Sequence, residues 1–241
     1  MTTGESDHDY GVPIPGRPLP PEQWAKTGIK RLPPPGPLDW EAIFGRKAPV
    51  LLDLGCGNGR FTLSHALRSP EWDHFAVDVL PLVLRYATRR ANQRGLHNVR
   101  LAVIGAYELL EQYVGPGSVA AIHLYHPQPY CDENQAERRL VTPEFLALVH
   151  RSLAPGGEFV VQTDNRAYWQ YIRRVAPLLF DFHELSGLWP DAPAGRTRRE
   201  IYARRHGMKI YKGHGQPRAL SAAEVEAIVQ AQPAPALDAR R

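Results

Sequence analysis

The run Asp53-Leu54-Gly55-Cys56-Gly57-Asn58-Gly59 places glycines at alternating positions behind a carboxylate. Glycine tolerates positive φ and lets a ligand approach the backbone closely, so a turn of this composition can cradle a cofactor. Asp78 follows nineteen residues beyond Gly59, where a second carboxylate at the end of the next strand can accept the hydroxyls of a ribose. The alternative reading is a tight structural turn with a capping Asp. The dinucleotide fingerprint is G-x-G-x-x-G, and the spacing here, D-x-G-x-G-x-G, differs from it. Cations gather elsewhere: Arg196, Arg198, Arg199, Arg204, Arg205, Lys209 and Lys212 stand against a single acid, Glu200. Arg85, Arg89, Arg90 and Arg94 recur along a second segment. Such clusters suit phosphates, although the second group also fits a solvated helix face. His123 and His126 have no third convincing ligand, and two cysteines, Cys56 and Cys131, make neither a disulfide framework nor a CxxC site. No metal site is expected.

The elements that must hold these residues alternate regularly from Pro49 onward. Val50–Leu54 reads as a strand, the glycine run as a turn, and 60–67 as a helix. Strand 74–79, helix 82–94 with Gly95 as its stop, strand 99–104 and helix 107–113 follow. Strand 119–124 leads to a loop, then helix 143–153, a Pro155-Gly156-Gly157 turn, strand 159–163 and helix 167–179. Strands alternating with helices imply an α/β fold: a Rossmann-like, doubly wound, mostly parallel sheet with helices on both faces. The segment 180–212 is expected to supply the last strands, with Glu200–Tyr202 as its β-prone piece. Residues 1–37 read as a Pro-rich, largely irregular arm, 38–215 as the catalytic domain and 216–241 as a tail with one short helix; ten of the first 49 residues are proline. Trp40, Ile43 and Phe44 at helical spacing predict one amphipathic turn where the domain begins.

The chain has 241 residues, 43% of them apolar, with 29 Lys and Arg against 25 Asp and Glu. That supports a substantial core and excludes collagen-like or wholly disordered readings. The net charge of +4 permits an anionic partner without demanding one. Apolar runs are too short for a membrane span, and the polar start lacks a secretory signal. A reducing cytoplasm is the expected setting.

The glycine run resembles motif I of the class I S-adenosylmethionine-dependent methyltransferases. From Leu38 to about Gly213 the order of features is similar to the bacterial tRNA (guanine-N7)-methyltransferases. The likeness is carried by Leu51 to Gly59, Val77-Asp78-Val79 and Asn98-Val99-Arg100-Leu101. It continues through His123 to Tyr130, Arg138-Arg139-Leu140-Val141-Thr142-Pro143-Glu144-Phe145-Leu146, Thr163-Asp164 and Thr197-Arg198-Arg199-Glu200. The resemblance implies S-adenosylmethionine as cofactor, a guanosine in the variable loop of tRNA as substrate, and a monomer or homodimer. It implies cofactor contacts from Asp53, Gly55, Gly57, Gly59, Asp78 and Ala106. Substrate contacts are implied from Asp164, Thr197, Glu200, Tyr130, Arg138 and Arg139.

The chain departs from the family pattern at defined places. Gly105, before Ala106, stands where the family has an Asp near the adenine amino group. Gln128 replaces an Asp at the catalytic position, Tyr130 replaces a Trp, and 131–137 is acidic where the family is basic. Guanine N7 carries an in-plane lone pair and no proton, so its methylation needs no general base. Gln128 could offer its carbonyl dipole to the charged product or donate to guanine O6. Asp164 and Glu200 could accept from the Watson–Crick edge; alternatively, Asp164 caps a helix and Glu200 pairs with Arg198 or Arg204. Tyr130 could stack on an extruded base or anchor its loop. Methylation of another nucleobase or a small heterocycle, and a non-catalytic RNA-binding role, are the competing functions.

Overall fold

The computed structural model describes residues 7–130, 135 and 138–232. The chain opens with a small hairpin, β1 (His8–Asp9) and β2 (Val12–Pro13), and a short edge strand, β3 (Gly28–Ile29). Helix α1 (Trp40–Phe44) occupies the expected amphipathic turn, capped by the Asp39 side chain. The alternating body follows: β4 (Val50–Leu54), α2 (Arg60–Arg68), β5 (Asp73–Asp78), α3 (Pro81–Gln93), β6 (Val99–Val103), α4 (Ala106–Gln112) and β7 (Val119–Tyr125). Then come α5 (Pro143–Ser152), β8 (Leu153–Thr163), α6 (Arg166–Leu179), β9 (Phe180–Leu185), α7 (Arg198–Arg205), β10 (Tyr211–Pro217) and α8 (Ala222–Gln230).

Eight strands form one sheet in the order β3-β6-β5-β4-β7-β8-β10-β9, parallel except that β10 runs antiparallel to both β8 and β9. The strand order reverses at β4, between β5 and β7, and a crevice at the carboxyl ends of the strands is the ligand site of such sheets. All five residues of β4 are buried, as expected of a central strand covered on both faces. The doubly wound α/β reading agrees with this architecture.

Two expectations need correction. Glu200–Tyr202 is not β but lies inside α7. Thr197 caps that helix by accepting from the Glu200 amide, and Glu200 pairs with Arg204 one turn on; cap and pair outweigh the β-prone side chains of Ile201 and Tyr202. The strand that was expected to begin at Phe159 begins at Leu153. Val119 pairs with Leu153 but Ala121 with Glu158, so the Pro155-Gly156-Gly157 turn exists as a bulge within β8 rather than as its boundary. The last strands are β9 and β10. Gly213 and Gly215 hide the β character of β10; a Cβ on Gly213 would stand 2.5 Å from the Phe182 ring.

The Pro-rich arm is anchored to the body. β3 pairs with β6 at the sheet edge. Asp7 pairs with Arg90 of α3 and with Arg94, its C-cap, and Asp9 is buried against Asn58 and Arg60. These contacts use two of the four arginines along 85–94, leaving Arg85 and Arg89 exposed. The tail helix α8 is closed by a Ser221–Glu224 capping box. Among the described residues no helix is long and apolar enough to cross a membrane.

Candidate active site

The glycine turn leaves β4 along a path that side-chain-bearing residues rarely take: φ is 73° at Gly55, 54° at Gly57 and 78° at Gly59. The amides of Gly55 and Cys56 both donate to the Val77 carbonyl at 2.9 Å, tying the turn to β5. Gly59 is packed against α3, where an added Cβ would stand 2.8 Å from that of Ala87. Gly55 and Gly57 have nothing within 4 Å of that position, so they present bare backbone to open space. Asp78, at the end of β5, accepts from the Gly57 amide through Oδ2 and from the Leu80 amide through Oδ1, each at 2.9 Å. One carboxylate thus fixes both the turn and the start of α3, with lone pairs remaining on each oxygen.

The turn borders a cavity of about 670 Å³ whose walls include Asp53, Gln128, Asp164, Thr197, Arg199 and, from the arm, Tyr10. Asp53 is buried and accepts from the Thr62 hydroxyl. Burial pushes its carboxyl up to about 7; the Thr62 hydrogen bond opposes this and the nearby Asp78 adds to it. Gln128 is exposed and borders the cavity with its amide available as donor and acceptor. Thr197 borders it as the cap of α7.

Asp164, at the end of β8, sits in a directed chain of hydrogen bonds. Trp189 Nε1 donates to Gln162 Oε1 at 2.7 Å, which fixes the Gln162 amide so that its Nε2 meets His126 Nε2 at 2.9 Å. His126 therefore accepts at Nε2 and donates from Nδ1 to Asp164 Oδ1 at 3.0 Å. Arg199 donates twice to Asp164 Oδ2. Burial alone would raise the Asp164 carboxyl, but the His126 and Arg199 bonds hold it well below the usual carboxylate range. Its ordinary alternative, a helix cap, belongs to Asn165, which accepts from the Tyr168 amide.

Other candidate residues take different places. Glu200 has no solvent exposure and is occupied by Arg204 and the Arg196 amide; it supports the Thr197 segment from behind and does not border the cavity. Arg139, implied as a substrate contact, is instead buried, donates to the Pro129 carbonyl at 2.7 Å and lies over the Tyr168 ring. It shapes the 127–130 loop. Tyr130, at φ 43°, is not among the residues lining the cavity. Arg138 is exposed, and Ala106 begins α4 behind Gly105. The acidic segment 131–137 lies outside the described residues apart from Gln135.

The cation cluster also divides. Arg196 pairs with Asp191 and lies 3.6 Å over Trp189, and Lys212 is buried over the same ring. Arg198, Arg199, Arg205 and Lys209 remain at the surface. Sequence reasoning missed Tyr10 and Tyr202 on the cavity wall and the role of His126 as the support of Asp164. The Tyr10-Gly11 pair at a two-residue hairpin tip was the available signal. His123 is a buried core group stacked on Phe61, its imidazole held neutral by burial. Among the described residues no group of His, Cys, Asp or Glu could hold a metal ion.

Comparisons with known proteins place this geometry. A family model described as "Putative methyltransferase" matches residues 47–213. A tRNA (guanine-N(7)-)-methyltransferase of Alkalilimnicola ehrlichii is 32% identical over 191 residues, 79% of each chain. One of Methylococcus capsulatus is 34% identical over 198 residues, covering 80% of this chain and 81% of the relative. Among solved structures, the 16S rRNA methyltransferase KamB aligns with a TM-score of 0.54 at 18% identity, over 80% of this chain and 98% of its own. A 16S rRNA (adenine(1408)-N(1))-methyltransferase from Catenulisporales acidiphilia, solved with its cosubstrate SAM, aligns at 0.53 and 17% identity, over 78% and 94%. Both structures share the fold.

Proposed function

The chain belongs to the tRNA (guanine-N7)-methyltransferase family, and from that premise we propose that it transfers the methyl group of S-adenosylmethionine to N7 of a guanine in tRNA. The observation that carries the reading is one cavity bordered on one side by the bare glycine turn that Asp78 straps down, and on the other by Asp164, Thr197 and Gln128. The turn fits the cofactor. Gly55 and Gly57 leave room where side chains would stand, and Asp78 keeps lone pairs for ribose hydroxyls. Asp53 offers a carboxyl to a cationic group, while Ala106 stands at the start of α4 for the adenine side. When bound, the cofactor supplies an electrophilic methyl group on sulfonium sulfur.

The residues of the chain then have to orient rather than deprotonate. N7 bears a lone pair and no hydrogen, so the reaction asks for no base, and His126, engaged at both nitrogens, serves to hold Asp164. Asp164 Oδ1 keeps one lone pair for a donor on the Watson–Crick edge of guanine, and the Thr197 hydroxyl can donate to the base. Holding the reacting atoms about 3 Å apart and in line is worth roughly 7 to 11 kcal/mol in favourable cases. As N7 becomes cationic, the Gln128 carbonyl stabilises it less than a carboxylate would. We place the reaction in the cytoplasm, carried out by a monomer or homodimer, with Arg138, Arg198 and Arg199 near the RNA backbone.

The test is incubation of the purified protein with S-adenosylmethionine and tRNA, followed by mass spectrometry of nucleosides, with tRNA from a deletion strain in parallel. Appearance of 7-methylguanosine in the first and its loss in the second are expected. A different methylated nucleoside would overturn the guanine assignment; none at all would overturn the reaction.

A further inference from the structure

The hairpin tip of the arm carries an aromatic residue where the backbone disfavours one. Tyr10 and Gly11 both have positive φ, 50° and 75°, the geometry of a two-residue type I′ turn whose first position usually holds Asn, Asp or Gly. A tyrosine in the left-handed region is costly, and such residues persist where the surroundings hold them and function uses them. The surroundings here are strong: Asp9, next to it, accepts from Asn58 at 2.8 Å and pairs with Arg60 at 3.3 Å. Asp7 holds Arg90 and Arg94. The hairpin is therefore fastened to the glycine turn and α3, and its tip borders the same cavity.

At that tip Tyr10 is part of a cluster of aromatic rings and guanidinium groups. Its ring centroid lies 5.4 Å from that of Tyr202 on α7, and the Arg198 guanidinium stands 5.2 Å from it. Tyr202 in turn contacts His206 at 4.0 Å and carries Arg199 at 5.1 Å. Tyr10 keeps 38% of its surface exposed. Planar π faces interleaved with guanidinium groups are what unstacked bases bind in single-stranded RNA, because every base offers a π face and every nucleotide a phosphate. Tyr130, the residue placed at the family's indole position, does not border the cavity.

We propose that Tyr10, clustered with Arg198 and Tyr202, is a nucleobase-binding surface that holds the extruded guanine in the cavity, so that the N-terminal hairpin is a substrate-positioning element. The identity of the base rests on the function proposed above; the stacking surface rests on this geometry. Losing one base stack to alanine costs about ten-fold or more in affinity. Y10A is expected to raise the KM for tRNA by about that factor, whereas Y10F, which keeps the ring, stays within about two-fold, and cofactor affinity by calorimetry is unchanged in both. Y10A matching wild type, or Y10F as impaired as Y10A, would overturn the proposal. A readout independent of turnover uses Y10W: its added emission should be quenched by guanosine monophosphate in excess of any change in wild type. Quenching with no methylation of any tRNA by wild type would sink the assigned reaction and leave the base surface standing; no quenching would remove the surface even from an active enzyme.

Discussion

Arg199, in the first turn of α7, grips Asp164 at the end of β8 through two nitrogens, Nε at 3.0 Å and Nη2 at 2.6 Å from the same carboxylate oxygen. One residue expected to read a base and one expected to meet a phosphate therefore neutralise each other. Each phosphate neutralised on a duplex lowers log K by about 0.9 per log unit of salt, and Arg199 can contribute only by releasing Asp164. Arg198, 60% exposed and 3.8 Å from Asp9, is freer.

The first prediction follows from that difference. Arg198→Ala should flatten the salt dependence of tRNA binding by about one unit, while Arg199→Ala should leave the slope nearly unchanged and lower kcat by disturbing Asp164. Salt titrations of both variants check this; equal loss of slope would show that the Arg199 pair opens on binding.

Asp78→Ala should weaken S-adenosylmethionine binding by about ten- to a hundred-fold, the equivalent of roughly 1.5 to 3 kcal/mol for hydrogen bonds to a charged group. The variant loses ribose acceptors and also frees the Gly57 and Leu80 amides. Calorimetry giving the same affinity as wild type would sink the cofactor assignment.

Gln128→Asp restores a carboxylate at a position that is exposed and borders the cavity, so it should not disturb the core. If developing charge on guanine limits the rate, single-turnover methylation should rise. A large fall would mean that the Gln128 amide reads a substrate other than guanine.

Asp53 links stability to pH. Its folded-state value, about 7, lies above that of an unfolded aspartate, so its favourable contribution is complete below about pH 4 and is lost as pH rises through 7. Asp53→Asn keeps an acceptor for Thr62 and removes that loss. The variant should gain stability over wild type between pH 4 and pH 8, on the order of 4 kcal/mol at most, while binding cofactor less well. Thermal melts across this range provide the check, and parallel curves for the two proteins would contradict it.

The glycine turn and the parallel body were legible because both are local: strand, turn and helix each announce themselves within a few residues, and Asp78 sits one strand away. What escaped depended on contacts between distant segments. Arg139 looked like a surface cation until Tyr168 and the Pro129 carbonyl enclosed it. Glu200 is the exception: of its two readings the local one, pairing with Arg204, holds, and the Arg196 amide takes its other oxygen. His126 was only set aside as a metal ligand, and its direction toward Asp164 is set by Gln162 and Trp189, which no spacing reveals. Tyr10 was hidden by the prolines around it, since an arm without periodicity gives no sign of where it docks.

The clamp that Asp7 and Asp9 make has a consequence for the order in which the molecule is built. The hairpin is translated ahead of all these partners, so Asp9 must wait for Asn58 and Arg60, Asp7 for Arg90 and Arg94, and Tyr10 for Arg198 and Tyr202. At about 5 to 20 residues per second, the interval between making Asp78 and making Tyr202 is roughly 6 to 25 seconds. During it a nascent chain holds the glycine turn but lacks the Tyr202 side of the cavity. The hairpin, translated before every one of its partners, settles only when the last of them is made, and this side of the cavity cannot form before α7 has been synthesised.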